Sequence, residues 1–252
     1  MNNRVKLLGS NLDPLTMGET IEKVEELIKS GIYNQHVVIN ASKVNLMQEN
    51  EELADIINSC PLINADGQSV VWAGRFLGYE IPERVAGIDL FLKLVELCNE
   101  KGYRPYFFGA KQEVVEKVVD IFKSKYKNLQ VAGYRNGYFK EEESYSIAEE
   151  IRRVNTDILF VAFSSPKKEF WISKYQEVMK VPFAMGVGGS FDVVAGITKR
   201  APKWMQKSGL EWFYRFIQEP RRMAKRYIVG NYKFIKLVAK YKKIDVKKDR
   251  EV

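Results

Sequence analysis

Short apolar runs alternate with helically periodic segments from Val5 to Val187, and no other feature restricts the fold of this chain as much. The runs Val5–Leu8, Val37–Asn40, Leu62–Ala65, Tyr106–Phe108, Gln130–Ala132, Ile158–Phe163 and Phe183–Val187 have the length and content of strands. Between them, segments near 16–30, 43–59, 68–77, 89–101, 112–125, 141–153 and 167–179 carry helical periodicity. The first helix opens with Thr16 and Glu19 in the spacing of a capping box. Consecutive parallel strands need long crossovers, usually helices. The alternation therefore predicts a Rossmann-like α/β fold, a parallel sheet with helices on both faces.

Open sheets of this kind bind ligands at the carboxyl ends of their strands. Small or polar residues follow five of the runs: Asn40, Asp66-Gly67, Gly109-Ala110, Ser164-Ser165-Pro166 and Gly188-Gly189-Ser190. A polar crevice is expected there. The 252 residues are enough for one such domain with an appendage. No run of about 18 apolar residues is present to span a bilayer. The first residues lack the apolar core and cleavage pattern of a secretory signal, so a cytoplasmic protein is expected. Cys60 and Cys98 fall in helical patterns, without the spacing of a metal knuckle.

The chain has one histidine, His36, and no Asp-x-Asp pair. Neither a histidine-rich metal site nor a Ser-His-Asp triad can be built from it. A general base must then be a carboxylate, and leaving-group charge must be met by Arg, Lys or backbone N–H groups. Asp66 follows a strand and precedes Gly67 and a helix. It is placed either to take a proton from a hydroxyl nucleophile or to cap that helix as an Asx turn. Its position in the crevice and the shortage of other bases add weight to the first. Arg84 either clamps a diphosphate through its guanidinium fork or pairs on the surface with Glu80 or Glu83. Asp89 is expected to be the N-cap of the next helix.

Gly109 and Gly186–Gly189 permit close approach of backbone N–H groups to phosphate or ribose. Neither matches G-x-G-x-x-G or a Walker sequence, which disfavours a nicotinamide-dependent dehydrogenase or an ATP site. Asp192 accepts from a ribose hydroxyl or caps a turn. The segment Ser164–Trp171 is either an ordinary helix start with Trp171 packed inward, or an anion contact to which Lys167 or Lys168 adds charge.

Charge divides the chain sharply. Residues 196–252 hold 17 Lys and Arg against 5 Asp and Glu, whereas residues 1–195 hold 23 against 27. A mildly acidic body carries a strongly basic appendage. At about 100° per residue, Met223, Tyr227, Ile228, Phe234, Ile235 and Val238 cluster on one side of a helix. Arg222, Lys225, Arg226, Lys233, Lys236, Lys240 and Lys243 cluster on the other. Such a helix suits an anionic membrane surface first, packing of its apolar face on the body second, and nucleic acid a distant third.

Asn40, Ala65-Asp66-Gly67, Arg84-Val85-Ala86-Gly87, Phe108-Gly109, Ser165–Trp171 and the block from Gly186 to Tyr227 together resemble the WecG/TagA/CpsF family of bacterial glycosyltransferases. The resemblance spans nearly the whole chain. It implies a sugar-nucleotide transferase at the cytoplasmic membrane face that extends polyprenyl-diphosphate-linked N-acetylglucosamine (GlcNAc). In the teichoic-acid branch the donor is UDP-N-acetylmannosamine (UDP-ManNAc), and the β-linked product is the linkage unit of wall teichoic acid. Inversion without a metal or other cofactor is implied. Asp66 matches the proposed general base, and Arg84, Arg215, Arg222 and Lys225 match positions thought to engage diphosphates. The appendage is thought to close the site at the membrane.

Asn40, Gly109, Lys168, Glu169, Gly188, Gly189 and Asp192 complete the expected substrate contacts. Two positions depart from the family: Val38 stands where many relatives have Thr, and Lys168 where they usually have Gln. The donor sugar is accordingly less constrained than the reaction, with UDP-ManNAc uronate and UDP-glucose as alternatives. The division expected is a catalytic domain over 1–195 and a membrane-associating appendage over 196–252. No nucleic-acid partner is expected, and a homo-oligomer is left open. The rival of another class is a membrane-associated protein that binds a nucleotide without catalysis.

Overall fold

The computed structural model describes residues 4–248; within them, the side chains of Lys207, Arg222, Met223, Lys225, Arg226 and 245–248 lie outside the description. It opens with a small antiparallel hairpin, β1 (Val5–Leu7) and β2 (Ser10–Leu12), followed by α1 (Met17–Lys29). Then come β3 (Asn34–Ile39), α2 (Ala41–Glu49), α3 (Glu51–Ser59), β4 (Leu62–Ala65), α4 (Gln68–Phe76) and α5 (Gly87–Lys101). The middle of the chain forms β5 (Pro105–Gly109), α6 (Gln112–Lys125), β6 (Gly133–Arg135), a 3-10 turn at Glu141–Glu143 and α7 (Ser144–Arg153). It continues as β7 (Ile158–Ala162), α8 (Lys167–Met179), β8 (Phe183–Gly186) and α9 (Ser190–Val194). The basic segment supplies α10 (Lys203–Lys207), α11 (Glu211–Gln218), α12 (Pro220–Ala224), a π-helical turn at Lys225–Val229 and α13 (Gly230–Lys248).

Six strands form one parallel sheet in the order β4-β3-β8-β7-β5-β6. Both faces are covered, as the continuous apolar runs require. Phe107, Phe160, Phe183 and Met185 point to the face packed by α1, α5, α6 and α9, where Phe91, Phe122 and Phe191 meet them. Their neighbours Tyr106, Phe108, Leu159, Val161 and Ala184 point to the other face, under α7 and α8. On that same side Val37, Ile39, Ile63 and Ala65 are covered through α2, α3 and α4. From the β4 edge the chain crosses β3, β8 and β7 to reach β5, which leaves the ends of β4 and β3 beside those of β8 and β7.

Four expectations are corrected. The first run is not a strand of the main sheet but half of the β1–β2 hairpin. The segment 43–59 is two helices, because the Asn50 side chain accepts from the Leu53 N–H at 2.8 Å and starts a new helix there. The strand expected at Gln130–Ala132 forms three residues later, at Gly133–Arg135, along the β5 edge.

The fourth concerns the tail. The π turn at Lys225–Val229 breaks the uniform 100° progression, so residues before and after it no longer share one face. Phe234 is buried, with Leu237, Val238 and Tyr241 packed in the α2 cluster, while Ile228 and Ile235 are each 66% exposed. Part of the apolar tail therefore packs on the body and part faces outward. Among the described residues no helix is long and apolar enough to cross a membrane.

Candidate active site

The adjacent ends of β4, β3, β8, β7 and β5 bring Asp66, Asn40, Gly186–Gly189, Ser164-Ser165 and Gly109 along one edge of the sheet. At the β4–β3 end, the N–H groups of Asp66 and Gly67 donate to the Ile39 carbonyl at 2.9 and 3.3 Å, tying the two loops together. The Asn40 side chain caps α2 by accepting from the Lys43 N–H at 3.1 Å.

Asp66 does not cap the helix that follows it; Gly67 is the N-cap of α4. Its carboxylate reaches across to the start of α5, where Oδ1 accepts from the Gly87 N–H at 3.0 Å. The carboxylate thus lies at the positive end of that 15-residue helix. No described residue donates to Oδ2, which remains available as a proton acceptor. A Val38 methyl lies 3.4 Å from where a Cβ on Gly87 would sit, so this residue packs against the start of α5 that holds Asp66.

Arg84 pairs with neither Glu80 nor Glu83. Its Nη2 donates to Glu211 Oε2 of α11 at 3.1 Å, and the two side chains are only 15% and 19% exposed. The other Glu211 oxygen, Oε1, accepts from Arg200 Nε at 3.3 Å. Arg200 in turn forks onto Asp89, with Nη1 and Nη2 at 2.5 and 2.7 Å. Asp89 is therefore not the N-cap of α5, a position held by Ala86, but an acidic residue of its first turn.

Under the middle of the crevice lies a buried ionic cluster. Glu169, 1% exposed, accepts through Oε1 from Lys43 Nζ at 2.7 Å, Ser165 Oγ at 2.8 Å and Lys168 Nζ at 3.2 Å. Lys168 also donates to Ser165 Oγ at 2.6 Å. Burial pushes the Glu169 carboxyl up, but the charges of Lys43 and Lys168 and the bonds from Lys43 and Ser165 outweigh it and bring it to about 2. The Lys168 stem lies across β8 at Gly186, where any Cβ would collide with it. Glu169 and Lys168 thus sit in the floor beneath the surface a substrate would touch.

Gly109 holds φ +126°, and a Cβ there would come within 2.8 Å of the Ala162 carbonyl oxygen, so only glycine fits between the β5 and β7 ends. Gly188 and Gly189 lead into α9, and the Asp192 carbonyl accepts from the Ile197 and Thr198 N–H groups at 2.9 and 3.1 Å, turning the chain into the basic segment. Arg215 shares α11 with Glu211, one turn further on. The Arg222 and Lys225 side chains lie outside the described ones.

Sequence reasoning missed Lys43, Arg200 and Glu211. The signal for Lys43 was its place three residues after Asn40, within an apolar helix pattern; Arg200 and Glu211 carried none. The sequence also falls under one family model, the glycosyl transferase WecG/TagA/CpsF family, over residues 5–248. Over 178 residues, 71% of this chain and 69% of the relative, it is 38% identical to the N-acetylglucosaminyldiphosphoundecaprenol N-acetyl-beta-D-mannosaminyltransferase of Bacillus subtilis (strain 168). The protein of the same name from Bacillus spizizenii (strain ATCC 23059 / NRRL B-14472 / W23) is 33% identical over 199 residues, 79% of this chain and 76% of the relative. With its parallel sheet and a match from β1 to the end of α13, the chain belongs to the WecG/TagA/CpsF family of glycosyltransferases.

Proposed function

We propose that this enzyme moves N-acetylmannosamine from UDP-ManNAc to polyprenyl-diphosphate-linked GlcNAc, in one inverting, metal-independent displacement at the cytoplasmic face of the membrane. The observation that carries the reading is the Asp66 carboxylate, held at one oxygen by the Gly87 N–H and open at the other. Oδ2 takes the proton of the acceptor hydroxyl as that oxygen bonds to the anomeric carbon. The bond to UDP breaks on the opposite face of the sugar. Arg84, with Arg215, Arg222 and Lys225, neutralises the diphosphates, while Asn40, Asp192 and the backbone at Gly109, Gly188 and Gly189 hold the donor. Residues 1–195 are the catalytic body, and 196–252 the appendage that meets the membrane.

The names of the two relatives support the acceptor and the transferred sugar. The product is then the β-linked disaccharide-lipid of wall teichoic acid. The extra cation at Lys168 would suit the carboxylate of a uronate donor, but its ammonium is engaged by Ser165 and Glu169, which favours the uncharged sugar.

The test offers UDP-ManNAc, UDP-glucose and UDP-ManNAc uronate to the full chain with undecaprenyl-diphosphate-GlcNAc in vesicles, and follows lipid-linked disaccharide by mass. Asp66→Asn should lose about 10²–10⁴ in kcat while still binding UDP. Wild-type turnover in that variant would remove Asp66 from the chemistry. UDP binding without product from any donor would leave the non-catalytic alternative.

A further inference from the structure

The Glu211 carboxylate bridges two guanidinium groups, one oxygen on Arg84 Nη2 and the other on Arg200 Nε. Each oxygen thus takes one guanidinium N–H, and two arginines converging on one two-oxygen anion can present the same donors to phosphate oxygens. Arg200 is fixed for this task. Asp89 takes both of its terminal nitrogens, so the guanidinium cannot rotate and its Nε edge faces Glu211. The place is mostly buried, with Arg84 at 15%, Glu211 at 19% and Arg200 at 21% side-chain exposure. It adjoins the α5 start that holds Asp66, since Asp89 and Gly87 belong to the same first turn.

We propose that Arg84 and Arg200 form a two-arginine diphosphate seat, and that Glu211 occupies it when no diphosphate is bound. This rests on the transferase reading for which diphosphate arrives; the anionic ligand class follows from the two guanidinium groups that converge on the Glu211 carboxylate. Binding moves the Glu211 carboxylate off both guanidiniums and puts phosphate oxygens in its place. Arg200 and Glu211 both lie in the basic segment and Arg84 in the body, so the exchange breaks the Arg84–Glu211 contact that ties α11 to the body. Asp89 acts through Arg200 and is a positioning residue.

The experiment titrates the full chain by calorimetry with inorganic pyrophosphate, UDP and farnesyl diphosphate as separate probes. Glu211→Gln removes the resident anion and should tighten pyrophosphate about tenfold, and Arg200→Gln should loosen it by about the same factor. Asp89→Asn keeps both arginines but releases the fork, and should loosen pyrophosphate about threefold. If the seat serves the donor, Arg200→Gln weakens UDP; if it serves the lipid acceptor, farnesyl diphosphate.

Unchanged or weaker pyrophosphate binding in Glu211→Gln would overturn the proposal, since the carboxylate would then support Arg84 rather than hold its place. So would an Arg200→Gln protein with a wild-type urea midpoint that binds all three probes as the wild type does. Should Arg200→Gln fail to fold, Glu211→Gln decides alone. Sugar transfer by the wild type is measured separately. An enzyme that transfers sugar but shows none of these shifts keeps its reaction and loses the seat; the reverse keeps the seat for a different diphosphate.

Discussion

Lys43 and Glu169 show how a buried charge is made tolerable. Neither ion would survive alone in the floor of the sheet, because an unpaired buried charge costs several kcal/mol. Their 2.7 Å contact, with Ser165 and Lys168 completing the cluster, holds α2 and α8 together beneath the ends of β3, β7 and β8. Lys43→Met should therefore destabilise the fold by about 3 kcal/mol in urea, with little change in the slope of the transition.

The same residues set the response to acid. Glu169 is held at about 2 against an ordinary value of 4.5, so its contribution is whole above pH 4.5 and is lost as pH falls towards 2. His36, buried and bonded to Asn64 Oδ1 at 2.9 Å, is pushed by burial down to about 4 from 6.5. The unfolded chain takes that proton first, so stability falls as pH drops from 6.5 to 4. Urea midpoints across pH should show both legs, and His36→Gln should erase the upper one. A flat wild-type profile between pH 6.5 and 4 would show that His36 titrates normally.

Elements whose signals were local were legible; those decided by partners were not. The capping box at Thr16 and Glu19 starts α1 where the sequence places it. Leu62–Ala65 and Phe183–Gly186 form strands because nothing else can bury such runs on two faces. The β1–β2 hairpin was hidden because its tight turn uses Leu8 and Gly9, both at positive φ, instead of the Asn-Gly pair that announces such turns. Asn50, followed by two glutamates, was a readable N-cap overlooked inside a continuous apolar pattern.

At the site, Asp66 was singled out from residue type and strand-end position, and Arg84 from the resemblance, the residues alone leaving its role even. Their partners Gly87 and Glu211 lie 21 and 127 residues away, a separation no local pattern encodes. The tail was misjudged in phase because one π turn shifts everything after it. Phe234 is the residue that fixes α13 to the α2 cluster. Phe234→Ala should release α13 locally at a cost of about 3 kcal/mol. Amide exchange along 230–248 should quicken while that of β3 and β7 stays slow. Uniform acceleration across the sheet would mean instead that α13 is integral to the fold of the body.

On the scale of the whole molecule, the charge break and the apolar exposure fall on the same segment. The 17 cations of residues 196–252 share it with outward-facing Trp204, Ile217, Ile228, Tyr232 and Ile235. Basic residues interleaved with exposed aromatic and aliphatic side chains are what a peripheral protein presents to anionic lipid. The acidic body would be repelled from such a surface, so the charge asymmetry favours an approach with the basic face towards anionic lipid. Arg84 is tied to the basic segment through Glu211, and Asp89 of the α5 first turn through Arg200.

Truncating the segment would test this poorly, because it would strip the cover from the α2 cluster as well as the charge. Exposed lysines can be neutralised without that damage. Lys236, Lys240 and Lys243 are all exposed, and each should contribute about 1 kcal/mol near an anionic leaflet. Replacing all three with Gln should weaken binding to vesicles rich in phosphatidylglycerol on the order of a hundredfold, and leave the urea midpoint within about 0.5 kcal/mol of wild type. Raising salt should weaken the wild type more than the triple variant, since screening acts on the charges the variant lacks. Turnover on the vesicle-borne acceptor should fall with binding, while UDP affinity stays put. Equal binding by the two proteins at low salt would show that these three lysines take no part in membrane attachment.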